Sequence, residues 1–394
     1  MSSKRLVYLD WNATTPPHPD VLAAIAQSWE SAWANPASVH GPGRRARAHV
    51  EAARDAVAAL TGMDARDVVL TSGGTEANNL ALEHAFFGAG AVGGRAAEGA
   101  LVLSPIEHPS VVRAAEHLAD RGVAVEWVTP EASGRIDPAA VAAAMDRAAL
   151  RAPVRLVTLQ AANHETGVIQ PVAAVAALAH ARGARLHVDA VQAVGRLDAT
   201  AWAGADLVSV AAHKIRGPKG IGALATRPGV RLRPVLYGGG QERGLRPGTQ
   251  DPAACAGFAA AAERARSTSP RYAELAALRD RLEASLGALG TRHGTPPERN
   301  GTAPRVPHVS NLSWPGWRGE ELCAALDLEG VAVSSGSACS AGTAEPSPVL
   351  LAMVGAARAT RAVRVSLGEE TTLADIEEAE RRWALILSRG APRG

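Results

Sequence analysis

The chain has 394 residues, 47% of them hydrophobic, and a formal charge of +2 at neutral pH. That length gives room for one large and one smaller domain around a full core, and the charge provides no basic field for nucleic acid. No apolar run is long enough to span a membrane, and MSSKRLVYLDWNATT passes straight from two charges into a strand, which predicts a soluble, cytoplasmic protein working on a small molecule.

In chain order, residues 6–9 predict a strand and DWNATTPP a polar turn. Val21, Leu22, Ile25 and Trp29 then carry helical spacing through 19–31. The stretch NPASVHGPG, from Asn35 to Gly43, holds too much Gly and Pro for regular structure, so the next helix is expected from about 44 to 60. Residues 67–71 read as a strand, followed by SGGTEANN and another helix. A strand, a glycine turn and a helix together offer free backbone N–H groups and a positive dipole end to a phosphate, and Thr75 adds a hydroxyl. A tight turn needs glycine for conformational reasons as well, so Gly74 gains weight only in company with Asp189 and Lys214.

Strands at 100–104, 123–128 and 154–161 alternate with helices at 109–120 and 138–150, the pattern of a mostly parallel sheet covered on both faces. Two of these strand ends carry polar clusters, Glu107-His108-Pro109 and Asn163-His164-Glu165-Thr166-Gly167. A histidine there is suited to stacking on a flat cofactor ring.

The centre of the chain is ADLVSVAAHKIRGPKGIGA, residues 205–223, where an apolar strand ends at His213-Lys214 and glycines then forbid a helix. Strand ends with loops behind them are where α/β proteins put chemistry, and a partly desolvated lysine there can form a Schiff base with an aldehyde cofactor. Upstream, RLHVDAVQ is a second short strand ending in Asp189. Alone, Asp189 reads as a helix cap. With Lys214 it reads as the carboxylate that keeps the ring nitrogen of pyridoxal phosphate (PLP) protonated and makes the ring an electron sink.

Beyond the lysine lies a second glycine loop with two arginines, YGGGQERGLRPGT, then helices at 252–264 and 271–289 and an exposed loop at 290–307. A domain boundary is expected near Ser267 to Pro270. A strand at 309–313, a helix at 319–328, a strand at 331–334, a strand at 362–367 and a helix from Thr372 complete a smaller α+β unit. The domain division is therefore 16–266 for the large PLP-binding domain, with 1–15 and 267–394 forming the small domain and its cysteine loop at about 334–345. Three cysteines, Cys255, Cys323 and Cys339, are too few and too scattered for a disulfide framework or a zinc site. Cys339 sits in SSGSACSAGT, among small residues that leave the sulfur unshielded, as suits a mobile nucleophile. Arg364, within AVRVSLG, is either a surface-facing strand residue or a bidentate clamp for a carboxylate.

Over nearly its whole length the chain resembles the group I cysteine desulfurases, the NifS/IscS-like branch of the class V PLP-dependent aminotransferases. The segments that carry this are YLDWNATT, NPASVHGPG, TSGGTEANN, EHPSVV, HVDAVQAVG, HKIRGPKGIGAL, GGGQERGLRPGT, SSGSACSAGTAEPS and VRVSLG. The resemblance implies the aspartate aminotransferase-like fold, fold type I, with a mostly parallel mixed sheet in the large domain. It implies that Lys214 holds PLP, Asp189 pairs with the ring nitrogen and Gln192 reaches the phenolic oxygen. His108 would stack on the ring and assist proton transfer. Gly74, Thr75 and His213 would bind the phosphate, with Thr249 donated from the partner subunit of a homodimer. Arg364 would bind the substrate carboxylate with Asn12 or Asn35 close by. Cys339 would attack the sulfur of L-cysteine, leaving L-alanine and a persulfide for a sulfur-acceptor protein.

Two positions depart from the family. It usually has a second asparagine, bonded to the cofactor's phenolic oxygen, where this chain has His164, which must replace that contact or leave it unmade. It often has a serine where this chain has Ala211, so one hydrogen bond to the phosphate, worth roughly 1 kcal/mol, is lost. The C-terminal segment SRGAPRG lacks the longer tail of the iron–sulfur housekeeping members, which leaves tRNA, cofactor, DNA or natural-product thiolation as further destinations for the sulfur. The alternatives are a selenocysteine lyase or another class V lyase or aminotransferase, which would not need Cys339, and a catalytically weakened sulfur-relay partner.

Overall fold

The computed structural model describes residues 5–86, 99–302, 304–336 and 345–390. In chain order its first half holds β1 (Val7–Tyr8), α1 (Pro19–Ser31), α2 (Gly41–Thr61), β2 (Val68–Thr71), α3 (Gly74–Phe86), β3 (Ala100–Leu103), α4 (Pro109–Asp120), β4 (Ala124–Trp127), α5 (Pro138–Ala149), β5 (Val154–Gln160), α6 (Val172–Ala181) and β6 (Arg185–Asp189). The second half holds β7 (Leu207–Ala211), β8 (Gly222–Thr226), α7 (Pro252–Ala265), α8 (Ser269–Arg292), β9 (Glu298–Arg299), β10 (Val309–Ser313), α9 (Gly319–Leu328), β11 (Val331–Ala332), α10 (Pro348–Val354), α11 (Ala356–Ala359), β12 (Ala362–Ser366) and α12 (Leu373–Arg389).

A seven-stranded sheet runs in the order β2-β8-β7-β6-β5-β3-β4. Only β8 is antiparallel to its neighbours, so the other strands all end at one edge. Alternating side chains of these strands build a core on each face. Val68, Leu70, Val102, Val188 and Val210 face α2, α5, α6 and α7, whereas Val69, Leu101, Leu103, Leu207 and Leu224 face α3 and α4. Burial on both sides is why the strands read as unbroken apolar runs. A separate core joins β1 to α8, β10, α9, β12 and α12, with Trp314 stacked on Trp383 at 5.8 Å. The N-terminal strand pairs there with β11, and residues of α10 join the first core instead.

Three local expectations change. Helix α2 starts at Gly41, because His40 caps it through Nδ1 and Pro42 is tolerated in a first turn whose N–H groups lack helical partners. Gly43 lies against the loop, and a Cβ there would collide with the Ser38 carbonyl. The stretch 290–307 is not simply exposed: it contributes β9, and it buries Asn300 and Val306 while Arg305 pairs with Glu283. Strand β8 and helices α10 and α11 had no clear sequence signal.

Candidate active site

The shared strand edge explains how residues far apart in sequence converge. β3 leads into His108, β5 into Asn163 and His164, β6 ends on Asp189, β7 runs into a single tight turn at Ala212–Lys214, and β2 delivers the start of α3. His108, His164, Asp189, Lys214 and the start of α3 line a cavity of about 180 Å³ that also receives Asn12, Gln192 and Arg364.

Lys214 donates from Nζ to the main-chain carbonyls of Asn12, at 2.5 Å, and Ala13, at 2.8 Å. Asn12 is fixed from several sides. Its N–H donates to Ser366 Oγ, its Nδ2 to the His164 carbonyl, and its Oδ1 accepts from His308 Nε2. The Asn12 carbonyl also accepts from Gln192 Nε2 at 3.1 Å, while Gln192 Oε1 is held by Arg196. The amide of Asn12 is thus committed to the protein itself, which makes this residue a strap over the lysine.

Asp189 accepts from the Val191 N–H at 3.0 Å and from Asn78 Nδ2 at 2.8 Å. Asn78 also donates to Ser110 Oγ at 2.9 Å, and Ser110 Oγ lies 2.8 Å from His108 Nδ1. The same Nδ1 accepts the Ser110 N–H as the cap of α4, which leaves the ring proton on Nε2. Burial pushes the pKa of His108 down, and Lys214 adds to this while Asp189 opposes it. His108 therefore enters the cavity as a neutral imidazole, linked to Asp189 through Ser110 and Asn78. His213, bonded at Nδ1 to Thr14, is pushed down to about 4 by burial and by Lys214.

Gly74 and Thr75 open α3 at the far wall. A Cβ on Gly74 would stand 3.0 Å from Val191 Cγ2, so a larger residue would fill the space between helix start and strand end. Glu76 is held away by Ser72 N–H and by Arg246, which leaves the helix N-terminus to another anion. Arg364, buried within β12, donates to Asp10 at 2.7 Å and to the His164 carbonyl at 3.1 Å, and its Nε has no partner among the described residues. Its backbone pairs with Ser334, so the chain approaching Cys339 starts beside this arginine. Cys339 itself lies outside the described residues.

Two expected residues are not brought into this cavity within one chain. Asn35 is exposed and caps its own turn, beside a separate hollow of about 590 Å³ lined by Arg54 and Glu242. Thr249 is exposed on the glycine loop. Conversely, Asn78, Ser110 and Asp10 were not singled out from the sequence. Helical spacing from Gly74 places Asn78 on the cavity side of α3, a signal that local reading could have used.

The family model for aminotransferase class-V matches residues 7–378. A cysteine desulfurase of Bradyrhizobium diazoefficiens is 37% identical over 388 residues, covering 96% of this chain and 94% of the relative. The chain belongs to the class-V aminotransferases, among the cysteine desulfurases. Within this family, the cysteine desulfurase IscS of Anaeromyxobacter sp. (strain Fw109-5) is 40% identical over 385 residues, covering 95% of this chain and 91% of the relative. A solved structure described as a NifS-like protein matches with a TM-score of 0.86 at 31% identity, over 98% of this chain and 100% of that one. The family depends on PLP, and the cavity fits that group: a carboxylate on one wall, a lysine on another, helix amides on a third, and His164 with both ring nitrogens buried and without partners among the described residues.

Proposed function

We propose that the cavity holds PLP on Lys214, admits L-cysteine, and passes its sulfur to Cys339. The observation that carries this is the convergence of Lys214, the Asp189–Asn78–Ser110–His108 chain and the open α3 N-terminus on one cavity. Bound there, PLP supplies an electron sink that allows the Cα–H bond of an amino acid to break. Asp189 keeps its position through Asn78 and Val191 and would hold a proton at the ring nitrogen. The helix amides, Thr75 and neutral His213 bind the phosphate. Gln192 would serve the phenolic oxygen, and neutral His108 would stack on the ring and assist proton movement. Arg364, oriented by Asp10, meets the substrate carboxylate.

The free Lys214 amine would carry the Cα proton, and the Asn12 and Ala13 carbonyls give its Nζ a fixed resting place. The Cys339 thiolate attacks the substrate Sγ. The new S–S bond forms as the C–S bond breaks, its electron pair stays with Cβ, and protonation at Cβ together with return of the Cα proton gives L-alanine. A lyase or transaminase would have no use for Cys339, and the segments before and after it are anchored at Ser334, paired with Arg364, and at Ser347, bonded to Glu165.

The exposure of Thr249, with Trp33, Leu236 and Tyr237 also exposed, supports a homodimer in which this loop serves the partner's cavity. Sedimentation at micromolar concentration is expected to give twice the chain mass, and a monomer would remove that role for Thr249. No helix among the described residues is long and apolar enough to cross a membrane, which suits a cytoplasmic enzyme and a protein sulfur acceptor.

The cofactor reading is tested by adding PLP and recording visible absorption. Wild type is expected to gain a band that Lys214→Ala loses, and a band retained by the variant would refute the role of Lys214.

A further inference from the structure

His164 and Glu165 are adjacent, 6% and 0% exposed, and both have unpaired polar atoms. His164 Nδ1, His164 Nε2 and Glu165 Oε1 have no hydrogen-bond partner among the described residues, and the last two face one another at 3.6 Å. The backbone around them is held firmly. Asn12 and Arg364 grip the His164 carbonyl, Asn163 Oδ1 accepts the Glu165 N–H, and Asn311 donates to the Glu165 carbonyl. Ser347 Oγ binds Glu165 Oε2 at 2.6 Å, which turns the remaining oxygen toward the imidazole.

We propose that Glu165, as the neutral acid, is a positioning residue that donates from Oε1 to His164 Nε2, so that His164 presents its Nδ1–H to an acceptor oxygen of the group bound in the cavity. This rests on the reading of the cavity as a PLP site, in which that acceptor is the ring oxygen of PLP. One proton on each of two atoms then satisfies all three orphaned positions after a movement of a few tenths of an ångström. The opposite arrangement, a carboxylate accepting from Nε2–H, leaves only a lone pair on Nδ1, which would repel an anionic oxygen.

The surroundings favour the neutral pair. Around the two side chains stand the His108 ring, edge-on at 5.3 Å, the Lys214 amine, and Arg364 with Asp10 beside it, while Asp189 lines the same cavity. Burial raises the pKa of Glu165 despite Ser347 and Arg364, and burial with the nearby positive groups holds His164 well below its ordinary value.

The readout is the pH midpoint of the visible absorption change of full-length enzyme carrying PLP. A donor to the ring oxygen matters more once the proton on the Lys214-linked nitrogen has left, because the oxygen then holds its charge unshared. Loss of the donor therefore raises the midpoint. His164→Leu and Glu165→Leu are each expected to raise it by roughly one pH unit, and the double variant by no more than either alone. Glu165→Gln donates an amide N–H where the acid donates O–H, and is expected to keep the midpoint within about 0.3 unit of wild type.

A midpoint displaced in Glu165→Gln overturns the inference alone, since that variant keeps the Ser347 contact and is the one best placed to fold. An unmoved midpoint in a folded Glu165→Leu also overturns it. A wild type without a visible band, or Lys214→Ala with one, overturns the cofactor reading and this inference together.

Discussion

Glu107 stands next to His108 with one carboxylate oxygen accepting the Gln160 N–H at 3.0 Å and the other without a partner among the described residues. Burial pushes its pKa up to about 8, with Asp189 adding to the effect. A raised value means that the folded state binds the proton more tightly than the unfolded chain. The stability this confers is present in full below the ordinary value near 4.5 and is lost as pH climbs to about 8. Glu107→Gln keeps the acceptor for Gln160 and cannot ionise. Thermal transitions recorded from pH 5 to 9 are expected to show the variant gaining on wild type up to about pH 8 and no further, whereas parallel curves would mean that Glu107 does not titrate in this range. Lys214, Asp189 and His108 were legible as site candidates because strand ends and glycine turns are written in neighbouring residues, whereas His213 was given a role only through the family resemblance. Asn78 and Ser110 were not, since the bond from Asn78 to Asp189 closes 111 residues and leaves no local mark. Glu165 stands in a polar cluster at a strand end, but its orientation depends on Ser347, 182 positions away.

At the scale of elements, the sheet and most of its helices followed from periodicity, and the exceptions have physical causes. Gly41 and Pro42 looked like helix breakers but occupy the one turn where a missing N–H is harmless, with His40 as cap. Strand β8, GALAT, is short and small-residued because it packs tightly: a Cβ on Gly222 would approach the Gly73 backbone to 2.7 Å. The loop YGGGQERGLRPGT is rich in glycine, yet Glu242 is buried in it. That carboxylate meets Arg54, the Leu70 N–H and Gln250, and holds the backbone at Glu242 and Arg243 in the left-handed region. Removing it would leave Arg54 buried without its main counter-charge, a change that typically costs about 3–5 kcal/mol. A loop so anchored would hold Thr249 in a fixed position for the partner subunit of the proposed homodimer.

For the whole molecule, the candidate active site is a junction between two cores. The sheet supplies Asp189, His164 and Lys214, while the second core supplies Arg364 and Ser366, and Asn12 ties the halves by bonding Ser366, His308, His164 and Lys214. Family membership and PLP dependence rest on matches over nearly the full chain, and the central proposal for the site is that Cys339 receives the sulfur. The direct measurement is L-alanine and sulfide release from L-cysteine with a thiol reductant, comparing wild type with Cys339→Ala at equal PLP content. Both products are expected from wild type in equal amounts, and neither from the variant. Equal alanine formation by the two proteins would contradict sulfur transfer to Cys339, because the C–S bond would then break without it.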